Sequence, residues 1–97
     1  FGGFMMKWAD ELAFDAAMLA FPGASFVTKL FEPFNFTRPC ANGDIIKVRA
    51  RIARVGHTSC VVEVRAVNAR TGAEVFHTRA VMVNLLDGVK TPLPRPE

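Results

Sequence analysis

The sequence predicts an α+β domain, one long apolar helix followed by an antiparallel sheet of four long strands. Three observations lead there. Residues Phe4 to Phe21 are dominated by Ala, Leu, Met, Lys and Glu and contain no Gly or Pro, a composition that favours helix. After Gly23 the pattern changes from helical to extended, and from Ile45 apolar residues alternate with charged ones. The alternating runs are separated by short turn sequences, and short turns join antiparallel neighbours.

Gly2-Gly3 precedes the helix and Pro22-Gly23 stops it. Lys7, Glu11 and Asp15 are spaced i, i+4, i+8 and fall on one narrow stripe. Nearly everything else is apolar, so the helix is expected to be buried around most of its circumference. At about 27 Å it is shorter than strands reaching roughly 33–44 Å. A curled sheet wrapped around the helix is the simplest packing.

The extended segments follow in order. Ala24–Phe36 is rich in Phe, Val and Thr, with Pro33 at a bulge or edge position. Asn42-Gly43-Asp44 is a turn. Ile45–Val55 places Ile46, Val48, Ala50 and Ile52 on one face and Lys47, Arg49 and Arg51 on the other. Gly56 to Ser59 turns again. Cys60, Val62, Val64 and Ala66 then alternate with Glu63 and Arg65. Residues 69–74 turn once more, and Val75–Leu86 is the last long strand. Residues 87–97 form a Pro-rich tail with little capacity for regular structure. The whole, 1–97, reads as a single domain without repeats.

Composition narrows the function classes. With 51% apolar and 22% charged residues, the chain is globular rather than disordered. A net charge of +3 favours anionic partners weakly. No aromatics are interleaved with the basic residues, which argues against nucleic-acid binding. Lys7, Asp10, Glu11 and Asp15 interrupt the one long apolar stretch, so neither a membrane span nor a signal peptide is expected. Cys40 and Cys60 fit no CxxC motif and no disulfide scaffold. Two buried free thiols in a reduced, cytoplasmic setting are the expectation.

One carboxylate stands out. Asp10 sits about 100° from Glu11 around the helix, with Met6, Lys7, Ala13 and Phe14 above and below it. Either it pairs with Lys7 as an ordinary helix-edge residue, or it is an acid beside a cleft, poised for general-base work. Gly2-Gly3 likewise loosens the entry to the helix, or lets a ligand oxygen approach free N–H groups at the helix N-terminus. The turn Arg54-Val55-Gly56-His57-Thr58-Ser59 gathers a guanidinium, backbone N–H groups and two hydroxyls, a weak phosphate signature. His57 and His77 have no partners at metal-ligand spacing, so no metal is expected. GxSxG, HExxH and P-loop motifs are absent.

The order of these pieces resembles the hotdog-fold acyl-CoA thioesterases over nearly the whole chain. The most specific elements are the glycine pair ahead of Ala9-Asp10, the Arg38-Pro39 and Gly43-Asp44 that open a strand, and Val55 to Ser59 followed by Val62-Glu63-Val64. The resemblance implies an antiparallel sheet around one central helix and an acyl-CoA substrate, with no cofactor. It implies a homodimer or trimer of dimers joined through sheet edges, with sites shared between chains. Asp10 matches the catalytic helix carboxylate, which activates water or attacks the thioester. Gly3 and Phe4 fall where backbone N–H groups polarise the carbonyl, beside Gly2. Arg54, Gly56, His57, Thr58 and Ser59 match the turn that contacts the coenzyme A nucleotide. In many members a first strand carrying an Asn precedes the glycine pair; this chain starts at Phe1, and the expectation is an N-terminally truncated domain.

The expected reaction is thioester hydrolysis to a free acid and coenzyme A. A thioester is already activated, so a carboxylate, a water and an oxyanion donor suffice. The apolar helix and the Phe-rich segment Phe26–Phe36 would line an acyl channel. The alternatives are a non-catalytic acyl-CoA-binding or half-site module, and a hydroxyacyl thioester dehydratase, which would need His57 or His77 at the site.

Overall fold

The computed structural model describes residues 2–32, 35–36 and 43–94. A helix, α1 (Gly2–Ala20), leads into β1 (Phe26–Phe31), β2 (Asn35–Phe36), β3 (Ile46–Val55), β4 (Ser59–Asn68), β5 (Glu74–Leu86) and β6 (Val89–Lys90). The four long strands form one antiparallel sheet in the order β1-β5-β4-β3, and β2 and β6 also pair with β5. The expected α+β architecture is the observed one.

Strand β5 sets the layout. Its end near Asn84 pairs with β1, from Phe26↔Asn84 to Phe31↔Ala80. Its beginning pairs with β2, Asn35 lying opposite His77. Within the predicted extended segment Ala24–Phe36, β1 and β2 both pair with β5. The observed irregularity falls between Thr28 and Leu30; Pro33 lies outside the described residues.

α1 packs on the inner face of the sheet and touches all four long strands. Ala9, Ala13 and Ala17 are completely buried. Their i, i+4, i+8 spacing puts three small side chains on one face, which lets the helix sit close to the strands. Beneath it lie Val62, Val64 and Ala66 of β4 and Phe76, Ala80 and Met82 of β5. Burying a valine such as Val62 contributes about 1.5–3 kcal/mol.

Two expectations about the helix are corrected. It begins at Gly2 rather than after the glycines, so both glycines lie in its first turn. It is also not buried around most of its circumference: Trp8, Phe14 and Leu19 are exposed in the single chain. One four-stranded sheet can cover only one side of a helix. At the far end Phe21 and Phe26 meet edge to face, ring centres 6.2 Å apart, and close the turn through Gly23, whose φ of +93° favours glycine.

The alternation in β3 and β4 is as predicted, with Cys60, Val62, Val64 and Ala66 buried. Glu63 departs from it. Expected on the solvent face, it is buried on that face beneath Arg51, Arg65 and Arg79. Burial pushes the Cys60 thiol up from its ordinary value, which makes it a poor nucleophile. Cys40 lies outside the described residues.

The tail is more ordered than its prolines suggested. Asp87 and Gly88 both have positive φ, 51° and 77°, the requirement of a type I′ turn, and fold β6 back on β5. Leu93 is buried, and its N–H donates to the His57 carbonyl at 2.9 Å. Buried Asn84 ties the region together: its Oδ1 accepts from the Ser25 N–H at 2.7 Å, and its Nδ2 donates to the Pro92 carbonyl at 3.1 Å. The Asp-Gly pair, a strong hairpin signal, was hidden by the prolines that follow it.

Candidate active site

The helix begins at Gly2, so the N–H groups of Gly2, Gly3 and Phe4 belong to the first turn. These groups have no partner within the helix, and the helix dipole adds positive potential there. Asp10 follows Gly3 by seven residues, two turns, which returns it to the same side of the helix about 10 Å further along. Helical side chains tilt toward the N-terminus, so the carboxylate leans toward that end. A carbonyl oxygen on the N–H groups, its carbon, and a water on the carboxylate span such a gap through contacts of about 3 Å.

Asp10 is exposed in the single chain, so burial does not single it out. It forms no ion pair with Lys7 among the described residues, and the helix-edge pairing is not seen. Its partner comes from the sheet: the Thr28 hydroxyl donates to Asp10 Oδ1 at 3.0 Å. Thr28 Oγ1 also lies 3.5 Å from Met82 Sδ, a cross-strand neighbour. A hydroxyl held between a core methionine and a carboxylate fixes one oxygen of that carboxylate. Thr28 was not singled out in the sequence; one Thr in an alternating strand carries no local signal.

The second group of expected residues lies elsewhere. The turn between β3 and β4 presents Arg54 and His57 as exposed side chains and Thr58 and Ser59 as half-buried ones. Its backbone is tighter than expected. The Gly56 N–H donates to the Ser59 carbonyl at 2.7 Å, so it is not free for a ligand. A Cβ at Gly56 would meet the Ser59 carbonyl oxygen and hydroxyl at 3.2 Å, which explains the glycine. The Thr58 carbonyl accepts from the Asn84 N–H at 2.9 Å. Beside the turn is a cleft of about 350 Å³ lined by Phe21, Val55, Gly56, His57 and residues 92–94.

Within one chain these groups do not meet. Asp10 bonds to β1, whereas the turn joins β4 to β3 on the other side of β5. At 4.8 Å per strand that is roughly 10–15 Å. Neither histidine is near Asp10. His77 holds Glu74 Oε2 at 3.0 Å on the face of the sheet away from α1, and His57 lines the cleft by the turn. Among the described residues no three metal-ligating side chains converge.

The chain thus combines an antiparallel sheet packed on one helix with a carboxylate two turns from the first-turn N–H groups. Residues 1–75 match the Thioesterase superfamily, and the chain belongs to it. The acyl-CoA hydrolase of Staphylococcus aureus, solved with butyryl-coenzyme A, coenzyme A and coenzyme A disulfide, is 30% identical. It superposes with a TM-score of 0.89 over 100% of this chain and 60% of its own length. This chain therefore spans three-fifths of that relative. The hexameric thioesterase of Yersinia pestis is 26% identical, with a TM-score of 0.79 over 99% of this chain and 81% of its own. The acyl-CoA hydrolase of Bacillus cereus, at 22% identity and a TM-score of 0.85 over 98% and 60% of the two chains, shares the fold. No curated protein matches the chain. Among the described residues no helix is long and apolar enough to cross a membrane.

Proposed function

We propose that this chain is an acyl-CoA thioester hydrolase with Asp10 as its catalytic carboxylate. The observation that carries the reading is the Thr28–Asp10 hydrogen bond, which fixes one oxygen of a carboxylate that stands two helical turns from Gly3. The thioester carbonyl accepts from those N–H groups, which stabilise the negative charge that develops on its oxygen. Asp10 removes a proton from water, and the water oxygen bonds to the carbonyl carbon. The C–S bond then breaks, and the departing thiolate takes the proton to give coenzyme A and a free acid. Direct attack by Asp10 reaches the same products through an anhydride that water opens.

Arg54, His57, Thr58 and Ser59 serve the coenzyme A nucleotide in this reading. Since they lie across the sheet from Asp10, each complete site takes its two halves from different chains of a homodimer or a trimer of dimers. Half-buried Phe31 offers apolar surface for the acyl chain, whereas Phe26 is spent in the core against Phe21. Buried, free Cys60 is in keeping with a cytoplasmic setting.

The test is thiol release from a panel of acyl-CoAs. Asp10→Asn keeps the circular dichroism of the parent and loses roughly 10²–10⁴ in kcat, the range for a positioned acid or base. Activity within a few-fold of the parent would make Asp10 structural and overturn the reading.

A further inference from the structure

The face of the sheet turned away from α1 carries an excess of cations outside the groups assigned above to the thioester and the nucleotide. Lys47, Arg49 and Arg51 alternate along β3 and are all exposed. Their spacing is about 6.8 Å. On β4 Arg65 lies directly opposite Arg49, and on β5 Arg79 lies opposite Glu63. Two like charges facing each other across an antiparallel pair oppose one another.

Only part of this charge is neutralised. Buried Glu63 takes Arg51 at 3.1 Å, Arg79 at 3.6 Å and Arg65 at 4.0 Å. Glu74 takes Arg65 at 3.2 Å and His77 at 3.0 Å. Lys47 and Arg49 form no ion pair with any described residue. Five cations therefore stand against two carboxylates. The Glu63 bonds fix the guanidinium stems in place, which removes much of the ordering cost of a new contact. A groove of about 810 Å³ runs over this face and is lined by Lys47, Arg49, Arg51, Glu63, Arg65 and Asn68 among others.

We propose that this groove binds a linear polyphosphate anion, distinct from the nucleotide contact assigned to Arg54. A row of cations at regular spacing suits charge distributed along a chain of linked phosphates, whereas a single phosphate engages one or two of them. Guanidinium groups bind phosphate oxygens through paired hydrogen bonds. The groove has no aromatic lining, so it recognises the phosphates and not a base. Free tripolyphosphate and the triphosphate of a nucleotide share this chemistry.

The experiment is titration calorimetry of the full chain with sodium tripolyphosphate, ATP and adenosine. Tripolyphosphate and ATP bind with similar affinity, adenosine does not bind, and affinity falls as salt rises. Arg49→Ser combined with Lys47→Ser, both at exposed positions, weakens tripolyphosphate roughly ten- to a hundredfold with unchanged thermal unfolding; Arg49→Glu weakens it at least as much. Arg54→Ala leaves tripolyphosphate affinity unchanged. Absence of binding to the parent chain would overturn the proposal. So would equal binding by the double variant, or loss confined to Arg54→Ala, which would place the anion at the turn. None of these readouts depends on thioester hydrolysis, so the two proposals fail separately.

Discussion

Asp10 and Thr28 show how one hydrogen bond changes the meaning of a residue. An exposed carboxylate on a helix is ordinary. A carboxylate with one oxygen held at 3.0 Å by a strand hydroxyl has a fixed orientation, and orientation is what a general base or nucleophile requires. A hydrogen bond to a charged group is worth about 1.5–3 kcal/mol. Thr28→Val keeps the shape of the side chain and removes the donor, so kcat should fall roughly ten- to a hundredfold with little change in circular dichroism. Thr28→Ser should retain most of the activity. Full activity in the valine variant would show that the hydroxyl serves packing alone. Asp10 was legible as an anomaly, a carboxylate with apolar neighbours along the helix. Thr28 was not, since the contact joins residues that only the folded sheet brings together.

At the scale of the strands, Glu63 is the residue on which the outer face is organised. It was placed on the correct face by alternation, but its burial was not foreseen. Alternation specifies a face; it does not reveal that three arginines converge on one position. The Arg51 hydrogen bond, with the charges of Arg51, Arg65 and Arg79, holds the Glu63 carboxyl below its ordinary value of 4.5, against the opposing effect of burial. The folded chain thus keeps Glu63 ionised to lower pH than the unfolded chain does. The resulting stabilisation is complete above pH 4.5 and is lost as pH falls through the depressed folded value. Glu63→Gln should lower the melting temperature at pH 7. The gap between parent and variant should narrow as pH falls below about 4.5. A gap that stays constant as the carboxyl is protonated would show that the Glu63 charge adds nothing. The helix teaches the same lesson from the other side. Its apolar composition was clear, but which apolar residues face the sheet was decided by the alanine row, with Trp8 and Phe14 turned outward.

For the whole molecule the open sheet edges matter most. Among the described residues β1 and β3 are the two ends of the strand order. At the β1 edge Val27 is 44% and Leu30 56% exposed, either side of Thr28. An apolar edge of this kind favours pairing with another chain. A partner docked there would also close the space beside Asp10 and bring its own residues to the site. Sedimentation at micromolar concentration should show a dimer or a larger assembly. Val27→Lys with Leu30→Lys should shift it toward monomer and lower thiol release in parallel. A stable monomer of the parent chain would defeat edge pairing and the shared site with it.

What the sequence determined by itself was periodic and local: the helix, the long strands, most of their turns and the face each alternating residue takes. Those follow from backbone geometry, in which a 3.6 or 2.0 repeat assigns a side without knowledge of the partner. The motif order added the family and the expectation that Asp10 is the catalytic carboxylate. The tertiary structure decided everything that depends on separate segments meeting. It gave Asp10 its Thr28, gathered three strands' arginines around Glu63, and anchored a Pro-rich tail through Asn84 and Leu93. It also set the turn at 54–59 across β5 from the carboxylate. These are contacts between residues far apart in the chain, and no local pattern encodes them, because their geometry exists only once the strands have taken their register.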